Sequence, residues 1–150
     1  MNMKKPTVST LFAGCGGDSL GFVNAGFELV FANDNNPDAC ETLRKRFEHN
    51  KKKIIHKGNV QKIKEFESEF FVAENVKGFV TIGEKTQKKF FENGKIIKLG
   101  DVAEVIINQL SEVNGGYNVS YELHNTRDYG LPQDRERIII VGVRKDLDFK

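Results

Sequence analysis

Apolar positions in the first sixty residues alternate between short β-branched runs and amphipathic stretches. Thr7 to Ala13 is short and apolar and predicts a buried strand ending near residue 12. A glycine cluster, Gly14-Cys15-Gly16-Gly17, follows it. Ser19 to Ala25 predicts a helix that stops at Gly26. Residues 28–33 predict a second strand. Asn36 before Pro37 reads as an N-cap with proline at the first helical position. The helix it opens is expected to run to about His49, with Ala39, Leu43 and Phe47 on one face. Residues 53–56 predict a third strand.

The second half is less regular. Val60 to Glu69 is helix-compatible, with Val60, Ile63 and Phe66 on one side. Residues 70–74 predict a strand that delivers Glu74 and Asn75 at its end. Residues 77–99, rich in lysine and glycine, carry no assignable pattern. Asp101 to Val113 predicts a helix, and residues 117–124 and 137–144 predict strands. The loop between those two is too short for a helical crossover, so they are expected to pair antiparallel. Strand, glycine turn, helix, strand, helix, strand opens a doubly wound, Rossmann-like α/β sheet, mostly parallel with an antiparallel last strand.

At 150 residues, the length predicts one domain spanning residues 1–150. Hydrophobic residues at 39% and charged residues at 29% exclude a disordered tail or a collagen-like repeat. A net charge of +2 does not by itself predict nucleic-acid binding. No apolar run approaches the roughly 20 residues of a membrane span, and the first ten residues lack the apolar core of a signal peptide. Cys15 and Cys40 make neither a disulfide framework nor a metal site, and both read as reduced thiols of a cytoplasmic protein. Twelve phenylalanines and no tryptophan point to a Phe-filled core.

The candidate chemistry begins at the glycine turn, where a ligand can approach the backbone closely. Asp34 ends the second strand about 20 residues further on, where a ribose-binding carboxylate sits in nucleotide folds. Thr10 to Phe22 (TLFAGCGGDSLGF) with Asn24 to Phe27 (NAGF) resembles motif I of the DNA cytosine-5 methyltransferases. Ala32 to Leu43 (ANDNNPDACETL) resembles their motif II, Glu74 to Phe79 (ENVKGF) their motif VI, and Tyr129 to Arg137 (YGLPQDRER) their motif VIII.

That resemblance implies an S-adenosylmethionine (AdoMet)-dependent methyltransferase sheet, with DNA as partner and a flipped cytosine beside the cofactor. In the family a cysteine thiolate attacks C6 of the base, the methyl passes to C5, and elimination frees the enzyme. Carried over, Phe12, Ala13, Gly14, Cys15, Gly16 and Gly17 form the cofactor loop, and Asp34 holds the ribose hydroxyls beside Asn35. Asn59 takes the place of the acid that accepts from the adenine amine. Glu74 faces N3 and the exocyclic amine of the base. Arg135 and Arg137 brace the active site, with Arg137 closest to the base O2.

The departures are equally specific. The family nucleophile lies in a Pro-Cys dipeptide, and no Pro-Cys occurs in this sequence. Neither cysteine occupies the nucleophile position. The motif V segment is absent, and no target-recognition segment or final motif follows motif VIII. Asp18 stands where the family has an apolar residue near the adenine, and Asn35 where it has an apolar or aromatic one. These changes imply weak AdoMet binding. The strand that precedes the Pro-Cys loop, central in the family sheet, is missing as well. The simplest repair slides the strand at 70–73 beside the first strand, with Val60 to Glu69 as a shortened crossover. The resulting expectation is a methyltransferase homologue that is inactive alone. The alternatives are one part of a split enzyme with a complementing subunit, or a regulatory module that binds AdoMet or DNA.

Overall fold

The computed structural model describes residues 4–48, 55–57, 60–80, 88–92, 95–99 and 101–147. Its strands are β1 (Thr7–Leu11), β2 (Glu28–Asp34), β3 (Ile55–Lys57), β4 (Phe70–Val76), β5 (Lys88–Glu92), β6 (Lys95–Leu99), β7 (Tyr117–Asn125) and β8 (Glu136–Arg144). The helices are α1 (Gly17–Asn24), α2 (Pro37–Arg46) and α3 (Asp101–Ser111). Six strands form one sheet in the order β3-β2-β1-β4-β8-β7. The four from β3 to β4 run parallel, and β8 runs antiparallel to both of its neighbours. This is the predicted doubly wound sheet, antiparallel last strand included.

The sheet closes without the missing central strand. β4 pairs directly with β1, with Val8 opposite Phe70 and Leu11 opposite Ala73. Side chains clamp this seam as well as backbone. Thr7 N–H donates to Glu69 Oε2 at 2.8 Å, and Glu69 N–H donates back to Thr7 Oγ1 at 2.9 Å. Ser9 Oγ donates to Ser68 Oγ at 2.9 Å, and the buried Tyr117 hydroxyl donates to the Ser68 carbonyl at 2.6 Å. Each group here would cost free energy if left buried and unpaired.

Apolar side chains pack on both faces of the sheet. One face packs Val8, Leu29, Ala32 and Val72 with Leu43 and Phe47, the residues expected on one side of α2. Leu20, Phe22 and Val23 of α1 lie against the same cluster. The other face packs Leu11, Phe31, Phe71, Ile138 and Ile140 with Ala103 and Leu110 of α3. Phenylalanines supply much of both cores, as in the Phe27–Phe70 edge contact with ring centroids 5.6 Å apart.

Several boundaries differ from expectation. β1 stops at Leu11, because Phe12 takes φ +55° and turns the chain into the glycine loop. α1 starts two residues early, at Gly17, with left-handed Gly16 as its N-cap. α2 ends at Arg46, whereas residue 49 lies outside the described set. For β3, residues 53 and 54 likewise lie outside it. Val60–Glu65 is a 3-10 helix and not an α-helix. The spacing explains this: Val60, Ile63 and Phe66 recur every three residues, the 3-10 period, with no i+4 partner. Ile63 is fully buried and the Phe66 ring packs 4.8 Å from Phe31. The unassigned stretch from 77 to 99 contains a 3-10 turn (Lys77–Val80) and the β5–β6 hairpin, a separate two-stranded sheet.

Candidate functional site

Two groups of predicted residues gather at the carboxyl ends of the parallel strands, the edge where open α/β sheets bind ligands. The first is the glycine loop. Gly14 N–H donates to Asp34 Oδ2 and Asn36 N–H to Asp34 Oδ1, each at 2.8 Å. The half-buried Asp34 carboxylate therefore ties the loop to the end of β2, and its remaining lone pairs can accept from hydroxyls. Asn33 holds the other side, its carbonyl accepting from Ala13 N–H at 2.9 Å. Gly14 (φ +51°) has open space where a Cβ would project, whereas at Gly16 (φ +84°) a Cβ would meet Leu43 Cδ2 at 2.5 Å, so the buried Leu43 side chain would have to shift. Ala13 is buried, Gly17 begins α1, and Cys15 and Asn35 are exposed. Asn59 lies outside the described residues.

The second group shares an open cavity of about 490 Å³ on the α1 face of the sheet. Its apolar floor is Phe22, Val72 and Ile139. Glu74 and Arg137 meet over it, with Arg137 Nε 2.8 Å from Glu74 Oε1. The β4–β8 register makes this pairing: Glu74 faces Ile139, so Arg137 is its diagonal neighbour on the same face. Arg135 lies at the rim, where its backbone N–H donates to Asn125 Oδ1. Asn125 Oδ1 also accepts from Arg127 N–H, and Thr126 Oγ1 donates to the Gln133 carbonyl at 2.7 Å. These bonds fix the loop before β8 and so aim its arginines. The structure thus brings Glu74, Arg135 and Arg137 together, whereas the glycine loop does not line this cavity.

Two cavity features were not among the expected site residues. Asp18, in the first turn of α1, lines the cavity with Glu74. Burial pushes its pKa up to about 6; the Ser19 N–H opposes that, and the charge of Glu74 adds to it. Asp18 Oδ1 accepts the Ser19 N–H at 2.7 Å, while its buried Oδ2 has no hydrogen-bond partner. His124 and Tyr129 form the opposite wall; the Tyr129 hydroxyl is hydrogen-bonded to His124 Nδ1, and His124 Nε2 lies 3.5 Å from Glu122 Oε2. The β7–β8 register places His124 opposite Arg137, a signal visible only once the hairpin pairing is known.

The sequence model of C-5 cytosine-specific DNA methylases matches this chain over residues 7–67 and 58–150. The chain belongs to that family. It is 32% identical to the Type II methyltransferase M.MthTI of Methanothermobacter thermautotrophicus, over 100% of this chain and 52% of the relative. It is 30% identical to the Type II methyltransferase M.BspRI of Lysinibacillus sphaericus, over 97% of this chain and 46% of the relative. The chain thus spans about half the length of the curated relatives it matches. The first alignment runs over 190 positions against a chain of 150 residues, so the relative carries segments this chain lacks. Among solved structures, the Spodoptera frugiperda DNMT2 mutant E260A/E261A/K263A superposes with a TM-score of 0.62 at 18% identity, over 97% of this chain and 52% of that one. S. pombe Dnmt2 methyltransferase superposes at 0.58 and 20% identity, over 98% and 51%. These likenesses show the methyltransferase fold.

Among the described residues, no helix is long and apolar enough to cross a membrane, and no group of His, Cys, Asp and Glu could hold a metal ion.

Proposed function

We propose that this chain is a DNA cytosine-5 methyltransferase homologue that keeps the base-holding and cofactor-loop elements and does not transfer methyl groups by itself. The observation that carries the reading is the Glu74–Arg137 pair over an apolar floor at the carboxyl end of β4. A carboxylate fixed by a guanidinium accepts from an amine, and the remaining guanidinium N–H groups donate to a carbonyl oxygen. Those are the two polar edges of cytosine.

The glycine loop fits AdoMet at the ribose end. Asp34 keeps lone pairs for the hydroxyls, and Gly14 leaves open space beside the loop. Asp18, which the resemblance puts beside the adenine, lines the Glu74 cavity instead, and exposed Asn35 stands where the family has an apolar or aromatic residue, which supports weak binding. AdoMet, when bound, supplies the methyl group. The chain's own residues do the rest: Asp34 orients ribose, and Glu74 and Arg137 hold the base.

Attack at C6 needs a thiolate about 3–3.5 Å from the ring, and no such thiolate is built in. Cys15 is exposed on the loop, and Cys40 is buried in α2 with its Sγ–H on the Asp34 carbonyl at 3.3 Å. The test is methyl transfer from tritiated AdoMet to mixed-sequence DNA by the 150-residue chain. Background incorporation is expected; incorporation that disappears in Glu74→Ala refutes the reading. The direct β1–β4 pairing favours a binding module over one part of a split enzyme, because the place of the missing strand is filled.

A further inference from the structure

The six-stranded sheet has two outer strands, β3 and β7, and they are not equivalent. An outer strand shows a row of backbone N–H and C=O groups to whatever lies beside it, and folded chains blunt such a row with short length, lysine, proline or a bulge. β3 has two of these: it is three residues long and ends on Lys57. β7 has none of them. It is nine residues long, YNVSYELHN, and it pairs with β8 in unbroken register from Tyr117 to Asn125. Its single formal charge is Glu122. Among the described residues, the sheet ends at β7.

The two faces of β7 differ. Tyr117, Val119, Tyr121 and Leu123 belong to the core cluster that holds Ala103 and Leu110 of α3. Asn118, Ser120, Glu122 and His124 alternate with them on the other face, where His124 lines the cavity. Directly opposed residues of an antiparallel pair share a face, so a second β7 can pair with the first only about a two-fold centred on a residue. Centred on Tyr121, the pairing takes in all nine residues of the strand. Val119 then faces Leu123 of the second copy, His124 faces Asn118, and Glu122 faces the neutral Ser120. One residue further on, the two-fold would set Glu122 on Glu122, and like charges directly opposed are destabilising. One residue back, it would leave His124 and Asn125 beyond the ladder.

We propose that β7 is a self-pairing edge: two copies of this chain associate through antiparallel β7 strands about a two-fold at Tyr121, which continues the sheet from one copy into the other. The same strand serves on both sides, so the contact is isologous and closes as a dimer. In that pairing Asn118 of the second copy lies beside His124, and each cavity wall is extended by the other copy. The inference goes beyond the base-site reading and does not depend on it.

Sedimentation equilibrium of the full chain at low ionic strength is the test. A concentration-dependent equilibrium between monomer and dimer is expected, and a chain that stays monomeric up to about 200 µM overturns the proposal. Ser120 is exposed, so a charge can be placed there without disturbing the core. Ser120→Glu sets Glu against Glu122 on both sides of the two-fold and should weaken the dimer about threefold or more, while Ser120→Lys sets Lys there instead and should tighten it by a similar factor. Both effects should shrink in about 0.5 M salt. Combining Ser120→Glu with Glu122→Lys restores opposite charges and should recover the wild-type association. Equal weakening by Glu and Lys, or indifference to both, overturns the proposal, because the two-fold then does not lie at Tyr121. Hydrogen exchange on the wild-type chain needs no variant: β7 amides should gain protection as concentration rises, and a dimer that leaves them unchanged overturns it as well.

Discussion

Gly142 offers a direct test of how β4 fits its new place. It lies opposite Phe71 in the β4–β8 register. A Cβ there would sit 2.0 Å from Phe71 Cε1 and 2.5 Å from Cδ1 and Cζ. Phe71 is fully buried, and its ring meets Tyr117 edge-on at 5.0 Å. Gly142→Ala therefore cannot be absorbed without moving that ring. Overpacking of this kind costs about 1–3 kcal/mol, and disturbing an aromatic pair adds about 0.5–1.5 kcal/mol. The lower entropy of the unfolded alanine chain returns about 0.4–1 kcal/mol. The net expectation is a loss of about 2 kcal/mol. Urea unfolding followed by circular dichroism should show a midpoint lower by about 1 M with the slope unchanged. In a Phe71→Leu background the same substitution should cost less than half as much, because the clashing ring is gone. Wild-type stability for Gly142→Ala, or an equal cost in both backgrounds, refutes the packing described for β4.

Two further expectations concern the site. Calorimetry of the chain with AdoMet should give a dissociation constant weaker than about 1 µM, and Asp34→Ala should weaken it roughly tenfold or more, since charge-assisted bonds contribute about 1.5–3 kcal/mol; sub-micromolar binding, or binding indifferent to Asp34, contradicts the ribose assignment. Asp18 has a folded pKa of about 6 against 3.8 for the unperturbed group, so between those values the folded chain holds more protons than the unfolded one and its stability falls as pH rises. Asp18→Asn should remove a decline of about 2–3 kcal/mol between pH 4 and pH 6, and identical pH slopes for the two proteins would count against a buried Asp18 carboxyl.

The strands of the main sheet and their mostly parallel direction were legible because each strand carries its own signal, whereas the place of β8 beside β4 was not read. The β-branched run before the glycine loop, the Asn36-Pro37 cap and the RIIIVGVR strand are local features that tertiary contacts did not override. The placement of β4 beside β1 was also legible, since an unpaired central edge is costly and only one strand was near enough to fill it. What was not legible depends on register or on special backbone. The left-handed turn at Phe12 shortens β1, and nothing in a phenylalanine announces φ +55°. The β5–β6 hairpin joins lysine-rich strands whose composition resembles a loop. At the site, Glu74 and Arg137 were expected in one active site, but their direct pairing follows only from the diagonal of the β4–β8 ladder. Asp18 was visible as a departure, yet its orphaned oxygen is a property of the packed cavity.

The same seam bears on the split-enzyme alternative. On that alternative, a partner supplying the strand and thiolate that the resemblance implies would have to enter between β1 and β4. Entry there breaks the Val8-to-Leu11 ladder and the reciprocal Thr7–Glu69 clamp, and it separates Ser9 from Ser68. A new strand can replace backbone bonds one for one, each contributing about 0.5–1.5 kcal/mol net. It cannot replace the Thr7–Glu69 and Ser9–Ser68 pairs unless it carries matching polar groups at the same heights, and buried groups left unpaired cost about 1–3 kcal/mol each. Moving β4 also carries β8 and β7 with it, because those strands are anchored to β4 and not to β1. Glu74 and Arg137 travel together in that displacement, so their pairing survives, but Asp18 stays with α1 beside β1. The closed sheet is thus the state that joins Asp18 to the Glu74–Arg137 pair in one cavity, and an inserted strand would take that combination apart.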